Sequence, residues 1–266
     1  MLILRCPAQL QLLEETLRKS LPTTLPVTGT LRNPLGNPAS HEVLVDSWPH
    51  FSIVLTRLRP EVLPRVPLPW QQNPTPQGPG NWGATLSSMS LPGMQDGLDE
   101  DVQEVASARG LKVETIRLGT GFSIPHSAMP CCRMPPGLRL ASVSPSHVPL
   151  LNATWALGRN ARSRAFLLGL VQTLPSACVL DQRGRPVSWS LLDGQGCLRH
   201  GYTVPAWRGR GLTGIPLSML GRDLHARGFP VYGAVLPQNT ASLRGLQAVG
   251  FVLQPGTFYM ILGTPK

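Results

Sequence analysis

Tyr202-Thr203-Val204-Pro205-Ala206-Trp207-Arg208-Gly209-Arg210-Gly211-Leu212-Thr213-Gly214 is the stretch on which the reading of this 266-residue chain turns. It begins as the end of a strand, crosses a loop with two glycines and two arginines, and enters a helical pattern spanning Leu212–Arg227. Glycines let the backbone curl so that several N–H groups converge. A helix start adds its own unpaired N–H groups and the positive end of its dipole. Together they predict a cradle for a diphosphate, with Arg208 and Arg210 adding charge at the rim. A strand–loop–helix turn with glycines placed only for packing has the same local sequence, so the flanking pattern must decide.

Upstream, strands are predicted at Ala177–Leu180, Pro186–Leu192 and Cys197–Val204, with turns at Gln182–Arg185 and Asp193–Gly196 joining them as hairpins. They follow a short strand at Leu138–Val143, a helix around His147–Leu157 and a second helix, Ala161–Thr173, capped by Asn160. Downstream, Phe229–Val235 reads as a strand, Asn239–Val249 as a helix and Phe251–Leu262 as a strand or hairpin. Helix, helix, three antiparallel strands, helix, strand, helix, strand is an α/β order built on a mixed α+β sheet, not a doubly wound one.

The first half is more interrupted. A helix is predicted at Pro7–Ser20, where Leu10, Leu13, Leu17 and Leu21 recur at helical spacing. Strand-like runs follow at Leu25–Leu31, Glu42–Asp46 and Phe51–Thr56. Residues 60–95 carry eight prolines and read as a loop or disordered segment. A helix at Leu98–Arg109, closed by Gly110, and a strand at Leu111–Leu118 come next, then a linker at Pro125–Pro136. Two domains are expected, 1–145 and 146–266.

Charge separates these halves. Residues 1–150 hold 12 Lys and Arg against 11 Asp and Glu, whereas residues 151–266 hold 12 against 3. The excess is arginine, which suits bidentate phosphate contacts. It fits either a small polyphosphate or nucleic acid. The arginines follow no repeated helical face and are not interleaved with exposed aromatics, which ranks nucleic acid last. The five cysteines form no C-x-x-C pair, and the six histidines lack metal-ligand spacing, so no metal is expected. No run of eighteen apolar residues predicts a membrane span.

Arg208-x-x-Gly211-x-Thr213 resembles the GNAT signature [Q/R]-x-x-G-x-[G/A], with Thr213 in place of the last small residue. Asn239 opening a helix that ends in Gly250-Phe251 resembles the second hallmark of that superfamily. A closer likeness is to the glycine N-acyltransferase family of vertebrates. It is carried by Asp46-Ser47-Trp48-Pro49-His50-Phe51, Gly36-Asn37-Pro38, Asn152-Ala153-Thr154-Trp155, Pro186-Val187-Ser188-Trp189, His200 to Pro205, and Arg227-Gly228-Phe229-Pro230. The likeness breaks across roughly residues 60–97.

The resemblance implies a GNAT-type fold and transfer of an acyl group from acyl-CoA to the amine of glycine or another small amino acid. Acyl-CoA is then a co-substrate, and no permanently bound cofactor is expected. The strand ending near Val204 is expected to splay from its neighbour and admit the pantetheine arm, with backbone groups of Tyr202, Thr203 and Val204 along it. Arg208, Gly209, Arg210, Gly211, Leu212 and Thr213 would hold the diphosphate, with Asn239 and Ser242 nearby. Members of the family commonly carry a Glu after the proline as general base; here the residue is Ala206, whose methyl group takes no proton. His200 and Tyr202, on the same strand face as position 206 if alternation holds, are the substitute candidates. The tyrosine acid of the wider superfamily is replaced by Leu246. Trp155 and Trp189 read as core aromatics. Asn160, Arg162 and Arg164 read as a solvated helix start that could instead hold an acceptor carboxylate. Cys131-Cys132 has no base at fixed spacing. Three functions follow in order: a working transferase, an acyl-CoA-binding pseudoenzyme, and a nucleic-acid-binding protein. A monomer is expected, and the analogy places it in mitochondria, with the cytoplasm as the alternative.

Overall fold

The computed structural model describes residues 1–21, 24–31, 41–58, 89–95, 98–108, 110–118, 122–123, 133–156, 158–253 and 258–265. In chain order the first half contributes β1 (Leu2–Leu4), α1 (Pro7–Arg18), α2 (Leu25–Leu31), β2 (His41–Val45), β3 (Val54–Leu58), β4 (Met89–Gln95), α3 (Asp99–Ala108), β5 (Leu111–Leu118), β6 (Phe122–Ser123) and β7 (Arg139–Ala141). A 3-10 turn, Pro145–His147, leads into α4 (Val148–Thr154), α5 (Ala161–Thr173), β8 (Ser176–Leu180), β9 (Pro186–Leu192) and β10 (Cys197–Thr203). A second 3-10 turn, Pro205–Trp207, precedes α6 (Gly214–Ala226), β11 (Tyr232–Gly233), α7 (Thr240–Ala248), β12 (Val252–Leu253) and β13 (Phe258–Pro265).

The main sheet has the order β12-β6-β11-β10-β9-β8-β7. Every residue of β8 and β9 is buried, because helices cover both faces. On one face α4 and α5 set Val148, Leu151 and Leu167 against Cys178, Leu180, Trp189 and Leu191. On the other, α6 and α7 set Leu217, Leu220, Leu224, Leu246 and Val249 against Ala177, Leu192 and Leu198. Each fully buried leucine contributes about 1.5–3 kcal/mol of transfer free energy. Among the described residues, no helix is long and apolar enough to cross a membrane.

Two smaller sheets carry the rest. β1-β2-β3 is antiparallel, and α1 lays Leu13 and Leu17 on its Leu4, Val43 and Val45. In the other, the last strand β13 lies between β4 and β5. β6 meanwhile enters the main sheet between β11 and β12. Strand pairing therefore crosses the expected division at 145/146 in both directions.

Three expectations are corrected. Leu25–Leu31 is a helix, not a strand. Its β-branched residues suggest a strand, but Pro26 fits a first helical turn, and the segment is buried against the β9–β10 turn. A Cβ on Gly29 would lie 1.8 Å from the carbonyl oxygen of Gln195. The end of the proline-rich 60–95 stretch forms β4, an edge strand. Its register with β13 slips between Leu91 and Met94, so Pro92 and Gly93 sit in a bulge where a missing donor is tolerated. Residues 60–88 of that stretch, and 125–132 of the expected linker with Cys131 and Cys132, lie outside the described residues. Lastly, Phe251–Leu262 is not one hairpin: β12 and β13 belong to different sheets.

Candidate active site

β10 sets the geometry. It pairs antiparallel with β9, but it meets β11 in parallel only at Cys197↔Tyr232 and Leu198↔Gly233. Beyond Leu198 the two strands part and leave a wedge beside residues 199–203. The cause is local. The register with β9 slips by one residue between Arg199 and Tyr202, and His200 holds φ 55°, in the left-handed region. An extra residue bends a strand and increases its twist. The Val204 N–H donates to the Val187 carbonyl at 2.9 Å. Successive residues of an antiparallel ladder turn their polar groups to opposite edges, so those of Thr203 face the wedge. There its carbonyl accepts Arg208 Nε at 2.9 Å. Thr203 is therefore placed to offer a backbone donor, whereas the N–H of Val204 is engaged in the sheet. Of the backbone groups expected along the pantetheine arm, the Val204 N–H is therefore not available.

The loop beyond β10 follows from two glycines. Gly209 and Gly211 have φ of 74° and 71°, which disfavour a side chain even though a Cβ at either would meet nothing within 4 Å. Leu212 is buried among Val179, Val187 and Ile215 and anchors the loop. The N–H groups of Gly214 and Ile215 bond back to Gly211 and Leu212 at 3.2 and 3.3 Å. Among the described residues, none partners the backbone N–H groups of Gly209, Arg210, Gly211, Leu212 and Thr213. The cradle is thus made by the loop's amides; the first two amides of α6 are occupied. Arg208 lies 5.3 Å from the Tyr202 ring centroid and Arg210 lies 4.8 Å from that of Trp207. Arg210 also donates to the Ala206 carbonyl at 3.4 Å.

Thr213, unusual for the motif, has a structural task. Its hydroxyl lies 2.9 Å from that of Thr203, which lies 2.8 Å from that of Ser188. This buried chain ties β9 and β10 to the start of α6. Sequence alone offered no signal for it, since the partners are 10 and 15 residues apart. Asn239 caps α7: its Oδ1 accepts the Ser242 N–H at 3.2 Å. Leu246 is buried in the α6–α7 core.

The candidates for proton transfer are placed differently from expectation. His200 and Tyr202 both face the α4–α5 layer. The His200 ring is edge-on to Trp155 at 4.8 Å and lies 5.8 Å from Phe166. Tyr202 stacks on Trp189 at 5.2 Å. Position 206 does not continue that face, because the strand ends at Thr203 and Ala206 stands exposed on the 3-10 turn. Burial, with the nearby Arg199 charge, lowers the His200 pKa to about 4, so the imidazole is neutral and weakly basic at physiological pH. The C-terminal half holds only three carboxylates, Asp181, Asp193 and Asp223. Each is ion-paired, to Arg185 at 2.8 Å, Arg199 at 2.9 Å and Arg227 at 3.1 Å. Asn160 caps α5 through its Oδ1, which accepts the Ser163 N–H at 2.9 Å, and Arg164 is exposed. The side chain of Arg162 lies outside the described residues.

A wedge between β10 and β11 that leads to a loop of unpaired amides at the start of α6 is the arrangement of a GNAT fold. Residues 1–64 and 81–175 match the model of the aralkyl acyl-CoA:amino acid N-acyltransferase family, and residues 177–261 match the C-terminal region of that family. The chain belongs to this family of acyltransferases. Glycine N-acyltransferase from Bos taurus is 32% identical over 300 residues, which cover 96% of each chain. Glycine N-phenylacetyltransferase from Bos taurus is also 32% identical, over 86% of this N-acyltransferase and 88% of that one. A crystal structure of a Drosophila protein has a TM-score of 0.57 at 18% identity, covering 65% of this chain and 59% of the other. That last likeness concerns the fold alone.

Proposed function

We propose that this N-acyltransferase moves an acyl group from acyl-CoA to the amine of glycine or another small amino acid. One observation carries the reading: the wedge beside Thr203 opens onto the unpaired amides of Gly209–Thr213. The amides would grip the diphosphate of CoA, and the pantetheine arm would run down the wedge. The thioester oxygen would then face the Thr203 N–H. Attack by the amine nitrogen places negative charge on that oxygen, which a fixed donor stabilises. Collapse breaks the C–S bond and releases CoA. Holding both reactants together supplies much of the rate. Relatives named glycine N-acyltransferase support the acceptor class. We propose further that the protein acts as a monomer and, by analogy with glycine-conjugating relatives, in mitochondria.

A second reading, slow turnover by an acyl-CoA-binding protein, is favoured by Ala206 and by the three engaged carboxylates. An amine that titrates about two units above the working pH is only about 1% free base, so a missing base slows the reaction. His200, through a water, is the residue we propose for what base catalysis remains. Calorimetry of folded protein with CoA, then mass spectrometry of products from mixed acyl-CoA and amino-acid pools, tests the first reading; absence of CoA uptake refutes both. Ala206→Glu is expected to raise turnover with CoA affinity little changed. Fast wild-type turnover that this change does not improve would remove position 206 from the argument.

A further inference from the structure

The residues around Thr203 limit the state in which an amine can react there. Ala206 offers no proton acceptor. The three carboxylates of the C-terminal half are held by Arg185, Arg199 and Arg227. His200 stands edge-on to Trp155, and burial keeps it neutral and weakly basic. An amine that enters as an ammonium ion therefore gives up its proton with little help from these side chains, and its free-base fraction sets how often it can attack.

The surroundings point the same way. His200 and Tyr202 lie against Trp155, Phe166 and Trp189, and Gly201 between them is exposed. Half-buried aromatic rings receive a neutral group at a lower desolvation cost than an ion. The charges bordering this face are three guanidinium groups and one carboxylate. Arg199 is held by Asp193 at 2.9 Å, Arg208 by the Thr203 carbonyl at 2.9 Å and Arg210 by the Ala206 carbonyl at 3.4 Å. That balance is positive and disfavours an incoming ammonium ion.

We infer that this chain acylates an α-amine that stands beside an amide, as in an amino-acid amide or at the start of a peptide, in preference to the free amino acid. The inference rests on the proposed transferase reading and extends its acceptor class. An α-amine next to an amide titrates at about 7.7–8.0, so about 25–40% of it is free base at pH 7.5, against about 1% for an amine two units above that pH. Nucleophilicity falls less steeply than basicity along such a series, so the weaker base reacts faster where the site removes no proton. The nitrogen adds to the thioester carbon and the C–N bond forms. The adduct nitrogen sheds one proton, the C–S bond breaks, and the departing thiolate takes a proton up as CoA.

The test gives the full chain a mixed acyl-CoA pool and, in separate reactions, glycine, glycinamide or triglycine. Acylated product is measured by mass spectrometry between pH 6.5 and 9, with the rate in the absence of protein subtracted. At pH 7.5 kcat/KM for glycinamide is expected to exceed that for glycine by about 5- to 30-fold, the upper figure being the ratio of free-base fractions. The advantage should shrink as pH rises to 9, because the glycine rate keeps climbing while the glycinamide rate levels off near pH 8. Triglycine ahead of glycine as well supports a peptide start as the source; glycinamide alone ahead supports a small amide. Glycine equal to or ahead of both at pH 7.5 overturns the inference and leaves the transferase reading intact. A preference that does not change with pH also overturns it, since binding and not protonation would then be its cause. No product from any of the three amines removes the transferase reading and this inference with it.

Discussion

Gly211→Ala isolates the cradle from everything else in the fold. Gly211 holds φ 71°, and a Cβ there would touch nothing within 4 Å. No steric neighbour contributes, so the whole effect is backbone strain, about 1–2 kcal/mol for an L-residue in the left-handed region. That strain has two places to go. If the loop relaxes to negative φ, the amides of Gly209–Thr213 diverge and CoA binding must restore them, so Kd rises about 5- to 30-fold with the melting temperature unchanged. If the loop stays, stability falls instead, by roughly 2–8 °C for a chain of this size. Calorimetry with CoA and a thermal melt on the same preparation measure both terms, which should together account for the penalty. Gly211→Asn should lose less, because asparagine tolerates this conformation. Unchanged Kd and unchanged melting in Gly211→Ala, or an asparagine variant worse than alanine, would show that the left-handed turn does not shape the CoA site.

Three further outcomes follow from packing and burial. Gly29→Ala drives a methyl group into the Gln195 carbonyl at the β9–β10 turn and is expected to cost about 3 kcal/mol, near the upper end for overpacking; chemical denaturation measures it. Thr203→Val removes the middle of the Ser188–Thr203–Thr213 chain and strands two hydroxyls, a loss of about 1–3 kcal/mol. Ser188→Ala should lose less, since the bond from Thr203 to Thr213 survives. His41 and His200 both have pKa lowered by burial to about 4, below the ordinary 6.5. Between pH 6.5 and 4 the unfolded chain binds protons that the folded chain refuses, so stability falls as pH falls through that window, by up to about 3 kcal/mol per histidine. Urea melts at pH 7, 5.5 and 4 check the slope, and His200→Phe should make it shallower.

What was legible in the sequence was local. The strand–loop–helix around Gly209 and Gly211, the hairpins at Gln182–Arg185 and Asp193–Gly196, and the Asn160 cap of α5 are fixed by residues within a few positions of one another. What was not legible depends on distant partners. Leu25–Leu31 carries a strand-like pattern, and the β9–β10 turn far along the chain receives it as a helix. Met89–Gln95 carries Pro92 and Gly93 and becomes a strand because β13 arrives from the other end of the chain. The Phe229–Val235 run forms only two strand residues, Tyr232 and Gly233, because β10 bends away from it. That bend goes with His200 taking a left-handed conformation, uncommon for any residue but glycine and not signalled by a strand pattern. That the backbone of Thr203 faces the wedge while the Val204 N–H is engaged in the sheet follows only from the ladder.

In the proposed reaction binding and chemistry rest on different atoms, which is why Ala206 is informative. The cradle consists of backbone amides whose direction is set by two left-handed glycines and by Leu212 in the core. No side chain at position 206 contributes to it, so an alanine there leaves the fold, the family resemblance and the proposed diphosphate grip unchanged. Proton removal has no such backbone substitute. The Arg210 guanidinium, which donates to the Ala206 carbonyl and lies over Trp207, also constrains any restored carboxylate. A cation that close lowers the pKa of a carboxylate by about 1–3 units and makes it a weaker base. The gain from Ala206→Glu therefore reports the base and its neighbour together. A modest gain with CoA affinity retained points to Arg210 holding the new carboxylate, whereas an equally modest gain in an Ala206→Glu/Arg210→Gln double variant would place the limit elsewhere in the wedge.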